Sequence, residues 1–252
     1  MLTLFRSMAL AILWFTRIPL PFVVSDAERL QQQSLAWLPW IGLLVGSMGY
    51  GVMWLAAGWG TWVAALLGTA AMVFVTGALH EDGWADGWDA LGAGGSRERR
   101  LLVLKDPRLG TFGVTALLFS LVLQVSFASI LMSRGSLILL VVAQVASRIP
   151  LSLLAWTVPY ARPEGEGKAG FLRKPVALWA WCLWGLTVLL GLGVCLQLGV
   201  RSAAVALIAM LVCLLSAQPW KKILGGITGD VFGFCQQAGF LAGLLMATWR
   251  PS

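Results

Sequence analysis

The chain has 252 residues, of which 59% are apolar and 12% charged, about half the charged share of an average soluble domain, and this excludes an ordinary water-soluble globule. Its formal charge of +7 is scattered between apolar runs and not gathered on one basic, aromatic face, so the partner it points to is an anionic bilayer surface and not nucleic acid. Cys182, Cys195 and Cys213 sit within apolar runs and Cys235 opens another, with no C-x-x-C pair, which reads as buried thiols and not as a disulfide framework or zinc site.

In chain order, an apolar stretch at 4–15 runs straight into Arg17-Ile18-Pro19-Leu20-Pro21, without the small-residue site that a cleaved signal needs. It reads as a retained interfacial or re-entrant helix. Longer apolar runs follow at 35–58, 62–79, 111–133, 136–158, 176–199, 202–218 and 231–249. A bilayer core needs about 20 apolar residues per helix, and these runs lack the period-2 alternation of barrel strands. The expected fold is therefore all-α, a polytopic membrane bundle of about seven transmembrane helices, with six to eight open, forming one catalytic domain over 1–252.

The connections alternate in character. Those at 80–110, 159–175 and 219–230 carry Arg97, Arg99, Arg100, Lys105, Arg108, Arg162, Lys168, Arg173, Lys174, Lys221 and Lys222, whereas those at 58–62, 134–135 and 200–201 carry Arg134 and Arg201. The positive-inside rule puts the first set in the cytoplasm. The acids Glu81, Asp82, Asp86, Asp89, Asp106, Glu164, Glu166 and Asp230 fall on that same side, which marks it as the working face. No inverted repeat of the transporter kind is visible.

The densest polar chemistry is His80-Glu81-Asp82-Gly83-Trp84-Ala85-Asp86-Gly87-Trp88-Asp89, directly after an apolar run. If that helix carries on, Asp82, Asp86 and Asp89 stand at i, i+4 and i+7 on one face. Like charges so close repel, and a divalent cation is the natural reason to tolerate them. Carboxylate oxygens without thiolate favour magnesium, with manganese as the alternative, and a magnesium ion held by a few acids and substrate phosphates suits phosphoryl transfer. Gly83 and Gly87 would admit a phosphate or a neighbouring helix, and Trp84 and Trp88 would border a planar ligand.

His80, the single histidine, is a candidate ligand, base or phosphate contact. Lys105, Asp106 and Arg108, in a glycine-flanked turn, suit an anionic diphosphate, while Arg97, Arg99 and Arg100 fit anchoring equally well. Arg148 lies inside an apolar run, where a charge is costly unless it meets a substrate or an acid. Gly225-Gly226-Ile227-Thr228-Gly229-Asp230 brings one more carboxylate to the start of the last run, either to complete the metal site or to cap the helix. Arg17 is an interfacial anchor or a substrate contact.

These motifs, H-x-D-G-x-A-D-x-x-D, K-D-x-R-x-G-x-x-G, G-G-x-T-G-D and an N-terminal F-x-T-R-x-P-x-P, resemble the cobalamin synthase family in order and over nearly the whole chain. Ala90 and Pro107 depart from its pattern, and neither removes a presumed ligand. The resemblance implies transfer of the adenosylcobinamide phosphate from adenosylcobinamide-GDP to α-ribazole or its 5′-phosphate, with release of GMP, at the bacterial inner membrane. It implies magnesium on Asp82, Asp86, Asp89 and Asp230, with Asp89 or His80 accepting the nucleophile's proton. Lys105, Asp106, Arg108, Arg148, Thr228 and Arg17 are its substrate-binding candidates. A homo-oligomer or an assembly with other corrinoid enzymes stays open. A phospholipid-type CDP-alcohol phosphotransferase and a cation-coupled transporter are the rival readings, the first lacking its longer D-G-x2-A-R motif and the second expecting polar groups near midplane on several spans.

Overall fold

The computed structural model describes residues 2–21, 24, 27–162 and 175–250, so Glu164, Glu166, Lys168, Arg173 and Lys174 lie outside the described residues. Within these the elements are helical: α1 (Leu2–Phe15), α2 (Ala27–Ser34), α3 (Leu38–Leu55), α4 (Thr61–Thr76), α5 (Leu79–Ala93), α6 (Arg97–Val103), α7 (Thr111–Ser133), α8 (Ile138–Ala146), α9 (Ile149–Thr157), α10 (Leu178–Leu198), α11 (Val200–Leu224) and α12 (Gly229–Thr248). Six stretches are long and apolar enough to cross a membrane, namely Arg29–Leu55, α7, Ile138–Thr157, α10, α11 and α12. A seventh exists if α4 and α5, bent by 87° at their junction, count as one span. The all-α polytopic bundle and its helix count are as expected, and α1 is a shorter apolar helix packed beside α2.

Three boundaries differ from the sequence reading. The helix through 62–79 does not carry on into the acidic segment but breaks at Gly77-Ala78, so the acids ride on a separate helix lying almost at right angles to α4. The run at 136–158 is interrupted at Ser147-Arg148, because Pro150 opens α9 within its first turn and has no N–H to continue the ladder. The run at 202–218 continues through Pro219 to Leu224, since Trp220 and Leu224 are fully buried and their packing holds the last turns helical.

Lipid does not drive helices together as water does, so close backbone approach has to supply the packing. Small residues provide it: a Cβ on Gly42 would lie 2.5 Å from the Gln144 carbonyl oxygen of α8, and one on Gly239 would lie 2.6 Å from that of Ala209 on α11. α10 stands at the edge, burying Ala180, Thr187 and Cys195 while Leu186, Leu189 and Leu190 face outward. Cys182 is consequently exposed on α10 and is not the buried thiol expected, unlike Cys195, Cys213 and Cys235. The two basic residues of the bare connections have a structural use, for Arg134 donates to the Thr248 carbonyl and Arg201 to that of Ala247, neutralising the C-terminal end of α12.

Candidate active site

The site begins at the α4–α5 corner. Gly77 and Ala78 both take left-handed backbone (φ 64° and 57°), closing α4 through Gly77 N–H to Phe74 O and Ala78 N–H to Val73 O. An alanine in that region costs about 1–2 kcal/mol, so surrounding contacts must over-determine the turn. Arg17 is one of them: its N–H donates to Val75 O at 2.7 Å, and its guanidinium lies so close over Gly77 that no Cβ would fit. The structure thus puts Arg17 beside the turn that launches the acidic helix.

α5 is wedged between α12 and α7. On one flank a Cβ on Gly83 would lie 2.5 Å from Asp230 O and 2.9 Å from Gly233 Cα, a backbone-to-backbone crossing. On the other, Trp84 Nε1 donates to Ala116 O at 3.1 Å. Asp82, Asp86 and Asp89 share the uncovered face as their spacing requires, with Asp82 exposed and the other two half-buried. The crossing also delivers Asp230 to them, close enough that the charges of Asp82, Asp230 and Asp89 all act on Asp86. Gly83→Ala improves helix propensity by about 1 kcal/mol. The clash with two rigid backbones is expected to outweigh that gain, so the variant's thermal unfolding midpoint in detergent should drop; an unchanged midpoint would show that the crossing is looser.

Asp230 does not cap α12. Thr228 does, its Oγ1 accepting from Val231 N–H at 3.3 Å and donating to Asp230 Oδ2 at 3.2 Å, which leaves Asp230 in the first turn. Thr228 is fully buried, so it positions Asp230 and is closed to substrate in this structure. The same Asp230 Oδ2 accepts from Arg162 Nη2 at 2.6 Å.

Asp89 is also committed. Its Oδ2 accepts from Gly110 N–H at 2.7 Å and its Oδ1 from Gly113 N–H at 2.8 Å, so both oxygens clasp the N-terminus of α7. Glycines are required there, because a Cβ on either would fall within 2.4 Å of the carboxylate. Asp106 and Arg108 pair with each other, Nε to Oδ1 at 2.9 Å and Nη2 to Oδ2 at 2.7 Å. That hydrogen-bonded pair holds the Asp106 carboxyl down to about 2, yet Arg108 remains 86% exposed and Lys105 is exposed beside it.

Other expected residues stand elsewhere. His80 is buried beneath α12, about 160° around α5 from Asp82 at 3.6 residues per turn, and does not share the acidic face. Arg148 is 1% exposed, donating through Nη1 to Gln144 O and Oε1, and the charge of the buried acid Glu81 acts on it, while Glu81 Oε1 accepts from Gln237 Nε2 at 2.7 Å. Arg100 donates to Ala90 O and Arg97 to Leu224 O and Ala161 O, so both cap helix ends or brace the fold. Trp84 stacks on Phe234 with centroids 4.8 Å apart, while Trp88 lines an apolar groove of about 390 Å³ with Phe112 and Thr115, both turned away from the acids.

Among the described residues no three acids, histidines or cysteines already stand in metal-holding geometry. Magnesium asks for less, since one or two carboxylates with substrate phosphates and water suffice. Asp82 and Asp86, one turn apart, are engaged by no hydrogen bond or ion pair among the described residues, and Asp230 has its Oδ1 outside the Arg162 and Thr228 bonds. This donor set fits a hard cation. Sequence reasoning missed Arg162 as a site residue, because nothing local distinguishes it from other loop arginines and only the fold brings it 68 positions across to Asp230.

A family model described as cobalamin-5-phosphate synthase matches residues 7–248 of the chain. A protein of Ralstonia nicotianae named adenosylcobinamide-GDP ribazoletransferase is 34% identical over 98% of this chain and 96% of its own length. Proteins of the same name from Leptothrix cholodnii and Brevibacillus brevis are 36% and 33% identical, covering 97% and 88% of this chain and 96% and 89% of their own. No solved structure matches.

Proposed function

The chain belongs to the cobalamin-5-phosphate synthase family, and from that premise we propose that it transfers the adenosylcobinamide phosphate of adenosylcobinamide-GDP to α-ribazole or its 5′-phosphate. A ribose hydroxyl oxygen forms a bond to the cobinamide-side phosphorus, the phosphoanhydride bond breaks, GMP leaves with its electron pair, and the hydroxyl proton passes to a base. The observation that carries the reading is the meeting of Asp82 and Asp86 with Asp230, from helices nearly 150 positions apart, on one partly exposed face, with two of the three unpaired among the described residues.

Asp82, Asp86 and the Oδ1 of Asp230 would hold magnesium, whose chemistry there is to neutralise charge on the transferring phosphate. His80 and Asp89 are poorly placed as bases, the first buried on the far side of α5 and the second clasping α7. A carboxylate oxygen of Asp82 or Asp86 left outside the cation's coordination is the proton acceptor this face offers. Lys105 and Arg108 lie exposed on the neighbouring loop, where their charges can meet the diphosphate.

The face belongs to the cytoplasmic side of the bacterial inner membrane. Arg97, Arg99, Arg100, Lys105, Arg108, Lys221 and Lys222 flank the acids, against Arg134 and Arg201 at the opposite ends of the helices. Neither the CDP-alcohol reading nor the transporter reading gains support from the names of the relatives. The test is GMP release by purified protein in liposomes given adenosylcobinamide-GDP, magnesium and α-ribazole, with and without its 5′-phosphate. Acceptor-dependent release abolished by EDTA is expected, and folded protein giving none with either acceptor would overturn the assignment.

A further inference from the structure

We propose that Glu81 is a positioning residue for the acids that hold the cation: through Gln237 it fixes the rotation of α5 on α12, and with it the facing of Asp82 and Asp86 toward Asp230. This rests on the magnesium-dependent transfer argued above. α5 crosses α12 glycine on glycine, since a Cβ on Gly83 would lie 2.9 Å from Gly233 Cα and one on Gly233 would lie 3.0 Å from Gly83 Cα. Such a contact has no ridge to seat in a groove, so it lets the helices approach without fixing how α5 is turned. A carboxylate about 6 Å from the helix axis moves by about 1 Å for each 10° of rotation, and a misplacement of about 1 Å can cost about 10²-fold in rate.

Side chains off the crossing therefore have to set the rotation, and they hold α5 at both ends. At its C-terminal end Asp89 clasps the Gly110 and Gly113 amides at the start of α7. At its N-terminal end, next to Asp82, the buried Glu81 accepts through Oε1 from Gln237 Nε2 at 2.7 Å. Gln237 stands two turns along α12 from Asp230, on the same face of that helix. Its own Oε1 accepts from Gln124 Nε2 of α7 at 3.4 Å, so its amide is oriented by an acceptor on one side and a donor on the other. Gln124 and Gln237 are buried as well, and the chain of bonds joins α5, α12 and α7, the helices that carry the acids and the clasp. Packing alone does not call for an acid here, because an apolar side chain of the same size would fill the space without the cost of burying a charge. The charge of Arg148 acts on Glu81 and offsets part of that cost. What the carboxylate adds over an apolar residue is a directed bond.

Mn²⁺ binding to the full chain in detergent, read by electron paramagnetic resonance, tests this beside steady-state GMP release and thermal unfolding. Gln237→Met keeps the length of the side chain and both buried charges but removes the amide. It should weaken Mn²⁺ binding and lower kcat by about 10- to 100-fold each, the usual effect of losing a group that orients metal ligands. KM for adenosylcobinamide-GDP should stay level, because the Asp89 clasp that fixes the Lys105 and Arg108 loop is untouched. Exchanging the pair, Glu81→Gln with Gln237→Glu, restores an amide-to-carboxylate bond and keeps one negative charge in the layer, so it should recover about 10-fold of each loss. If Gln237→Met does not fold, Gln237→Asn, whose amide falls a methylene short of Glu81, takes its place. A residue that only supports the fold would lower the unfolding midpoint and leave the Mn²⁺ affinity of the folded protein unchanged. That result, or an exchanged pair no better than Gln237→Met, overturns the proposal, whereas wild-type Mn²⁺ binding that is absent or indifferent to Asp82→Asn overturns the magnesium reading beneath it.

Discussion

Asp82→Asn and Asp86→Asn are each expected to cut acceptor-dependent GMP release by about 10²- to 10³-fold, the scale on which removal of one preorganised electrostatic group acts in catalysis. Neither is expected to harm the fold. Asparagine keeps the shape of the side chain, and no hydrogen bond or ion pair among the described residues depends on either carboxylate. The two acids stand one turn apart, where like charges destabilise a helix by about 0.2–0.5 kcal/mol, so losing one should leave the unfolding midpoint level or slightly higher. Opposite signs in activity and stability distinguish a functional acid from a structural one. Asp230→Asn should differ, since it breaks the 2.6 Å pair with the buried Arg162 and must lower both. A fall in stability for Asp82→Asn or Asp86→Asn comparable with that of Asp230→Asn would mean that all three acids serve the fold.

The bundle was legible because its code is periodic and long. Apolar runs of about 20 residues and a one-sided distribution of basic residues need no tertiary information. The spacing of Asp82, Asp86 and Asp89 gave their shared face correctly even though the helix carrying them was expected to continue from α4, because the three acids fall within α5 wherever it starts. What failed were assignments that depend on where a side chain is spent. Asp89 and Asp86 look alike in sequence, yet one meets two amides of a helix 21 and 24 positions onward and the other meets none. Asp230 reads as either cap or metal ligand and Thr228 as a substrate contact, and only the turn geometry at Thr228 (φ −119°, ψ 174°) makes Thr228 the cap. Glu81 was given no role, although with Gln237 and Arg148 it builds the buried polar layer beneath the acidic face. Such pairings form between distant segments and leave no local pattern.

Asp89 gives the second large effect, by a different route from Asp82 and Asp86. Its two charge-assisted bonds to Gly110 and Gly113 are each worth about 1.5–3 kcal/mol when the site is shielded from water, and at this half-buried position the lower end applies. Asp89→Ala removes both and should lower the unfolding midpoint clearly. Asp89→Asn keeps one acceptor but turns an amide N–H₂ toward a backbone donor, so it should recover little. Activity should fall with stability, through a raised KM for adenosylcobinamide-GDP more than through kcat, because the α7 N-terminus fixes the loop that presents Lys105 and Arg108. Gly113→Ala is the control from the other side of the clasp: a Cβ there would lie 2.3 Å from Asp89 Oδ2 and 2.8 Å from Ala85 O, so it should reproduce the same split with the carboxylate intact. If Asp89 were instead the general base, Asp89→Asn would collapse kcat at unchanged stability while Gly113→Ala spared the chemistry. Steady-state kinetics of GMP release beside thermal unfolding in detergent separates the two, because only the clasp makes the acid and the glycine fail together.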